Sequence, residues 1–204
     1  MNGFAKQSVR IGEWLLKLWQ LQLFWVLYTL KGGVVLGLFP ATGTVFKIVY
    51  QWLSEPASDR SIKEVFGTFY RQNMKVLNQL GYGLTAALGV VLLDLQISKQ
   101  FIHVYLLHYF LVALFILVLG TALYVFPIFA RYELSTVNYL KQAFFFFFTN
   151  IIETIAMLLG FLLVVIVVTF LPILAVVAGM PLFCLPVSWF AYQAMKKVEL
   201  RKLV

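Results

Sequence analysis

Residues 148–171, FTNIIETIAMLLGFLLVVIVVTFL, carry a single charged side chain, that of Glu153. A predominantly apolar run of about 20 residues is what an α-helix needs to cross the ~30 Å hydrocarbon core of a bilayer. Within this run, residues 162–168 are purely aliphatic, so they contact either lipid or other helices. The stretch therefore predicts a membrane-spanning helix.

The rest of the chain repeats this pattern. Apolar residues make up 62% and charged residues 12% of the sequence, against roughly 45–50% and about 25% in soluble domains. Apolar runs alternate with short charged gaps, which predicts an all-α, polytopic transmembrane helical bundle. We expect one transmembrane domain over residues 1–204, with spans at about 14–30, 34–53, 77–97, 101–126, 148–171 and 173–192.

The segment between the first two spans allows two geometries. Lys31-Gly32-Gly33 favours a turn, whereas Pro40 is expected to kink or break the second span. In the alternative, one helix covers residues 12–38 and a short helix covers 41–53, which at about 1.5 Å per residue is too short to cross the membrane. Residues 31–53 are thus either a true span or a broken re-entrant segment.

The distribution of positive charge favours the hairpin and predicts the orientation. The net charge is +8, but the 16 Lys and Arg residues lie in short gaps and form no continuous basic face, so we expect no nucleic-acid partner. Cytoplasmic segments of membrane proteins are enriched in Lys and Arg. With six spans, nearly all of these cations fall on one side, and only Lys31 and Lys99 fall on the other. We therefore expect a multi-pass membrane protein with both termini in the cytoplasm.

The longest polar gap predicts an amphipathic helix at about 61–76. Ser61 and Glu64 have the spacing of a capping box at a helix start. Apolar residues then recur at helical spacing, with basic residues on the remaining surface. We expect this helix to lie along the inner leaflet and then turn into the third span.

The residues that could carry chemistry form no recognisable catalytic or metal-binding pattern. Cys184 is the only cysteine and lies in an apolar run, where it is expected to be a small packing residue. His103 and His108 are five residues apart, so they face different sides of a helix. Walker A, HExxH, GxSxG and CxxC motifs are absent from the sequence. We expect no catalytic site, no metal and no cofactor, and hence not an enzyme.

Two groups of residues are candidates for a transport pathway. The first surrounds the expected helix break and comprises Gly37, Pro40, Thr42 and Gly43, since broken helices bind substrates in some transporters. We expect nearby threonine hydroxyls to satisfy the carbonyl that Pro40 frees. The second group is Asn150 and Glu153, because a carboxylate about a turn and a half inside a span is costly unless it is paired, neutral or near the interface.

Three stretches of the sequence resemble the YesL family of bacterial membrane proteins. These are GLFPATGTVFKIVYQWL (residues 37–53), IKEVFGTFYRQNMKVLNQLG (62–81) and YVFPIFARYELSTVNYLKQAF (124–144). The third keeps Pro127 and Arg131 of the family's FP-x-x-x-R segment. The first departs from the pattern, because Tyr50 and Gln51 stand where the family has an Arg before the Trp.

The resemblance implies a function that the residues alone do not. Members of the family are typically encoded in Gram-positive bacteria beside carbohydrate ABC importers, their binding proteins and glycoside hydrolases. We expect an accessory transmembrane subunit that assembles with the permease subunits of such an importer. The residues expected to contact the partner are Phe66, Phe69, Tyr70, Arg71, Asn73 and Arg131. The alternative is a stand-alone transporter or channel for a small solute.

Overall fold

A computed structural model describes residues 3–55, 61–102 and 104–202, and side chains within 12–55, 61–100 and 104–200. Over these ranges the chain is helical and contains no strand, which confirms the predicted all-α bundle. The helices are α1 (Gly3–Lys31), α2 (Val35–Ser54), α3 (Ile62–Ile97), α4 (Tyr105–Arg131), α5 (Thr136–Thr149), α6 (Ile151–Phe170) and α7 (Ile173–Lys202). A π-helical turn, Ser98–Ile102, extends α3.

The first two helices form an antiparallel hairpin. Trp14 and Trp52 pack edge to face at its open end, with ring centroids 5.7 Å apart. At the closed end, a Cβ on Gly37 would overlap the Thr29 backbone, so the two helices touch main chain to main chain. The hairpin geometry is therefore the one adopted, and the alternative of one helix over residues 12–38 is wrong.

The turn of the hairpin is strained. Val34 has φ 63° and ψ −62°, and the N–H of Val35 donates to the carbonyl of Gly33 at 2.7 Å. This is a γ-turn of the rare kind, which is unfavourable for a β-branched residue. The tight turn lets α2 begin directly beside the end of α1.

Helix α2 continues through Pro40, so of the kink or break expected there, the break is wrong. Proline removes the donor that would have bonded the carbonyl of Leu36. That carbonyl instead accepts a hydrogen bond from Asn78 Nδ2 of α3 at 3.0 Å. The expected threonine partner does not fill this role, since Thr44 Oγ1 bonds the carbonyl of Pro40 itself at 2.7 Å.

The predicted interfacial helix and third span are a single helix, so the expected turn between them is absent. At about 1.5 Å per residue, the 36 residues of α3 make a helix roughly 54 Å long, well beyond ~30 Å of hydrocarbon. The apolar side of its first turns packs on α1, where Phe66 lies 5.9 Å from Phe24 and 4.9 Å from Tyr28 between ring centroids. Because α1 covers this apolar side of α3, contact with lipid is not required to bury it. Ser61 is the N-cap residue, but its side chain makes no capping bond.

The core forms around α2, which packs against α1, α3, α4 and α7. Ten of its 20 residues are buried. Helix α5 packs on α4, with Phe129 against Tyr139 and Tyr124 against Phe146. Helix α6 lies at the edge and packs mainly on α7. Cys184 is buried in the core, as expected for a small packing residue.

Within the described residues, four helical segments are long and apolar enough to cross a membrane. They are Ile62–Gln100, Tyr105–Arg131, Ile151–Phe170 and Ile173–Leu200. Helices α1 and α2 match the first two predicted spans in position but are less apolar and are not among these four. By length and composition, at least four helices of the described chain are therefore candidate membrane spans, and six crossings stay a prediction.

Helix α7 is interrupted near its start. Ala178 has φ −148° and ψ 21°, outside the helical region, shortly before Pro181. The N–H of Met180 donates to the side-chain oxygen of Gln22 in α1 at 3.0 Å. Gln22 is buried and satisfies one of the backbone groups that the interruption leaves open.

Candidate functional site

The first group of candidate pathway residues is used for helix packing. Gly37 touches the Thr29 backbone, and a Cβ on Gly43 would collide with the side chain of Leu77. Thr42 Oγ1 accepts a hydrogen bond from Trp25 Nε1 at 3.1 Å. These residues and Pro40 are buried, and none of them lines the three cavities described below. They hold α1, α2 and α3 together.

The second group forms a polar cluster where α5 meets α6. Asn150 is buried between the two helices. The hydroxyl of Tyr124 in α4 lies 3.2 Å from the carbonyl of Asn150 and 3.0 Å from Thr154 Oγ1. Asn150 Nδ2 donates to the carbonyl of Phe146 at 3.2 Å and to Thr149 Oγ1 at 2.8 Å. The cluster thus satisfies backbone groups at the junction of two helices.

Glu153 belongs to an ion pair beside this cluster. It lies in the first turn of α6, not a turn and a half inside a span, because α5 ends at Thr149 and α6 starts afresh at Ile151. Lys197 Nζ of α7 lies 2.9 Å from Glu153 Oε1. A carboxylate at a helix N-terminus beside an ammonium group is well stabilised. This pairing supplies the compensation that a carboxylate in such a helix needs.

The same end of the bundle carries Lys47, Arg131, Lys196 and Lys197, and we name it the basic end. Arg131 forms an ion pair with Glu199 of α7, and Tyr132 Oη donates to Glu199 Oε1 at 2.8 Å. The guanidinium of Arg131 also lies over the rings of Tyr50 and Tyr132, 5.8 and 5.5 Å from their centroids. Burial, strengthened by the bond to Glu199, raises the pKa of Tyr132 to about 12. A phenol is protonated at neutral pH even without this shift, and the raised pKa of Tyr132 extends its role as a donor to more alkaline pH.

An open cavity of about 580 Å³ lies next to this ion pair. Lys47 Nζ, on its wall, donates to the carbonyl of Ala130 at 2.7 Å and lies over the ring of Phe69. Residues of α2, α3, α4 and α5 and of the link between the last two line this basic-end cavity: Lys47, Phe69, Gln72, Asn73, Phe129, Arg131, Tyr132, Glu133, Leu134, Ser135 and Tyr139. A polar recess with aromatic walls, open to the surface, suits a side chain or segment of another molecule.

The predicted partner-binding residues divide between this cavity and the core. Phe69, Asn73 and Arg131 line the basic-end cavity. Arg71 is exposed and lines a second recess of about 670 Å³ on the other side of α3. Phe66 and Tyr70 are instead buried, and Tyr70 Oη donates to the carbonyl of Tyr28 at 3.1 Å. Those two aromatic residues belong to the α1–α3 contact and present no surface to a partner.

Several residues of these sites carried no signal in the sequence. Glu199 and Lys197 lie 68 and 44 positions from their partners, and nothing in one sequence links such positions. Gln22 and Asn78 were detectable in part, because polar residues inside apolar helices usually meet a backbone group that needs a partner. His103 lies outside the described residues. Among those that are described, no three His, Cys, Asp or Glu side chains lie close enough to hold a metal ion.

Comparison with known proteins identifies relatives of this chain. The family described as protein of unknown function DUF624 matches residues 18–95. The Bacillus subtilis (strain 168) protein YesL, described as uncharacterized, is 28% identical over 147 residues, which cover 72% of this chain and 69% of YesL. YesV of the same organism, also described as uncharacterized, is 29% identical over 190 residues, 92% of this chain and 90% of YesV. The chain belongs to the YesL/DUF624 family.

The resemblance predicted from the three sequence stretches is thereby confirmed. The DUF624 match runs from α1 to the end of α3. It therefore covers the tightly packed contact of α1, α2 and α3, including Pro40, Thr42, Phe66 and Tyr70. No solved structure matches the chain.

Proposed function

We propose that this member of the DUF624 family is an accessory transmembrane subunit of a bacterial carbohydrate ABC importer, and that its basic-end cavity receives a segment of the permease. The observation that carries the proposal is that Phe69, Asn73 and Arg131, from two different helices, line one open recess. The candidate pathway residues of α2, in contrast, are buried in contacts between helices. The choice of a carbohydrate importer rests on the family resemblance.

The charged groups beside the cavity are already fixed in position. Glu199 and the rings of Tyr50 and Tyr132 surround the guanidinium of Arg131. A partner that docks here pays little to order these side chains, which is the usual advantage of a preformed site. Glu133 and Gln72 are exposed and line the cavity, so they offer hydrogen-bonding groups at its edge. We expect this end to face the cytoplasm, where the intracellular segments of a permease lie.

The test is co-purification from native membranes in a mild detergent. The tagged chain is expected to bring down permease and ATPase subunits, identified by mass spectrometry. Leu134→Trp fills the basic-end cavity, since Leu134 lines this cavity and not the second recess, and it is expected to reduce their yield at least fivefold. Leu140→Trp is the matched control, because Leu140 of α5 is also an exposed leucine but lines none of the described cavities.

Two results would overturn the proposal. One is the absence of any permease or ATPase subunit from the purified wild-type complex. The other is an equal loss of partner in the Leu134→Trp and Leu140→Trp variants, which would mean that the basic-end cavity plays no special part.

A stand-alone small-solute transporter is a second candidate, and one observation favours it. Helix α7 is interrupted at Ala178, and interrupted helices carry substrate sites in many transporters. This function requires that the purified chain alone moves solute across liposomes, and that Glu153→Gln, which removes the charge paired with Lys197, alters the rate. Liposomes that remain impermeable to a panel of sugars and small ions would eliminate it.

A further inference from the structure

A third cavity lies at the opposite end of the bundle from the basic end. It has a volume of about 420 Å³ and is lined by Ser98, Lys99, Val104, Tyr105, His108 and Tyr109. Helix α4 runs from this cavity to Arg131 over 27 residues, or about 40 Å. The positive-charge distribution of the sequence predicts that this end lies outside the cell.

Two buried polar atoms in residues that line this cavity have no hydrogen-bond partner among the residues that the structure describes. They are Ser98 Oγ and His108 Nδ1, and Ser98 as a whole is only 1% exposed. Leaving a buried polar group without a partner costs about 1–3 kcal/mol, so native proteins rarely tolerate it without water, an ion or a ligand. Both atoms belong to residues that line one cavity, and a molecule bound in that cavity would supply the missing partners.

The local backbone places both residues at the cavity. Ser98 begins the π-helical turn Ser98–Ile102 at the end of α3. Such turns are rare and are frequently found at functional sites. His108 lies in the first turns of α4, and its N–H bonds the carbonyl of Val104. The two helix ends therefore face each other across the recess.

The chemistry of the lining selects the kind of ligand. A hydroxyl group both donates and accepts, so it can satisfy a serine hydroxyl and either tautomer of a histidine, whereas a phosphate at neutral pH mainly accepts. Tyr105 and Tyr109 are 81% and 69% exposed, and their rings offer apolar faces beside the polar atoms. Lys99 adds an ammonium donor. Hydroxyl groups on an apolar ring match all of these features together.

We propose that this cavity binds a small hydroxylated solute, a mono- or disaccharide. The cavity volume falls within the usual range of about 300–1,000 Å³ for small-molecule sites. The proposal rests on the proposed function for the class of solute that reaches this side of the membrane, and it gives the accessory subunit a direct contact with that solute.

The experiment is saturation-transfer NMR on the full chain, purified in a detergent without a sugar headgroup. D-glucose, maltose and inorganic phosphate are the probes, the last observed by phosphorus line width. Transfer to the C–H groups of at least one sugar, without broadening of phosphate, is the expected result. Binding of phosphate in place of the sugars, or of no probe, as when only water fills the cavity, would overturn the proposal.

Variants test whether the two unpartnered atoms make the site. Ser98→Ala and His108→Phe are each expected to weaken sugar binding about tenfold, the loss that follows when a ligand group is left without its partner. His108→Asn keeps a polar atom near the position of Nδ1 and is expected to restore binding to within about threefold. Thr169→Ala, at an exposed threonine of α6 away from the cavity, is the control and leaves binding unchanged.

Thermal stability separates a binding role from a structural one. Because Ser98 Oγ has no hydrogen-bond partner in the described part of the chain, Ser98→Ala is expected to keep or raise the unfolding midpoint while sugar binding falls. Unchanged sugar affinity in Ser98→Ala would overturn the site. Co-purification of permease subunits with Ser98→Ala is expected to match the wild type, so failure of this proposal is distinct from failure of the proposed function.

Discussion

Helices α2 and α6 have equal lengths and opposite environments. Helix α6 is the most apolar of the four candidate spans, yet only Thr154 and Met157 are buried among its 20 residues. Helix α2 is less apolar and has ten buried residues, among them Gly37, Pro40 and Thr42. In a membrane, hydropathy reports contact with lipid, whereas helix packing favours small and weakly polar residues. The centre of this bundle is therefore its less hydrophobic part.

The largest expected effect is at the closest helix contact of α2. Gly37→Leu places a side chain against the Thr29 backbone, so α1 and α2 must separate. We expect a loss of about 3 kcal/mol or more in unfolding free energy, at the upper end of overpacking effects. The measurement is the unfolding midpoint of the purified protein in detergent.

Gly89→Leu is the matched control for that contact. Gly89 lies in α3, and a Cβ there would meet no atom within 4 Å. We expect a change of less than about 0.5 kcal/mol. Equal midpoints for the two leucine variants would show that the contact between α1 and α2 does not hold the centre of the bundle together.

The next effect concerns the buried end of α6. Tyr124→Phe keeps the ring in the core but removes the hydroxyl that bonds Asn150 and Thr154. We expect a loss of about 1 kcal/mol, the net value of a buried hydrogen bond. Tyr109→Phe, at an exposed tyrosine of the same helix, is the control for stability. If Tyr124→Phe unfolds no earlier than this control, the polar cluster does not anchor α6.

Sequence reasoning succeeded where one local signal was sufficient. The uncharged runs predicted α4, α6 and α7, and Lys31-Gly32-Gly33 predicted the hairpin turn. The resemblance in residues 37–53, 62–81 and 124–144 predicted the family. Each of these features depends on neighbouring residues, so a single chain contains the information.

Sequence reasoning failed where contacts between distant parts of the chain decide the local structure. Pro40 does not break α2, because Asn78 from another helix supplies the missing donor. Phe66 and Tyr70 have the spacing expected on the apolar face of a surface helix, yet α1 covers them. The pairing of Arg131 with Glu199 joins helix ends 68 positions apart. A periodic pattern shows that a face will be covered but does not identify what covers it.

A stabilising effect is expected at the start of α2. Val34 holds a positive φ in the γ-turn between α1 and α2, and its side chain is 52% exposed. Such backbone strain destabilises the folded state by about 1–3 kcal/mol. Glycine removes the strain, but it also raises the entropy of the unfolded chain, which offsets part of the gain in stability. We expect Val34→Gly to gain about 1 kcal/mol. Val35→Gly, which only removes a side chain from the helix, is expected to lower the midpoint, and a lower midpoint in both variants would contradict the strain.

The smallest effect is expected on the lipid-facing side of α6. Leu163 is 64% exposed, so in the membrane its side chain touches lipid both before and after the helices separate. Leu163→Ala should therefore change the unfolding free energy by less than about 0.5 kcal/mol, even though the same change in a soluble core costs about 2–5 kcal/mol. Met157→Ala in the same helix removes a fully buried side chain and should cost several times more. A large loss at Leu163 would instead mean that this apolar face packs against protein, as it would in a complex that survives purification.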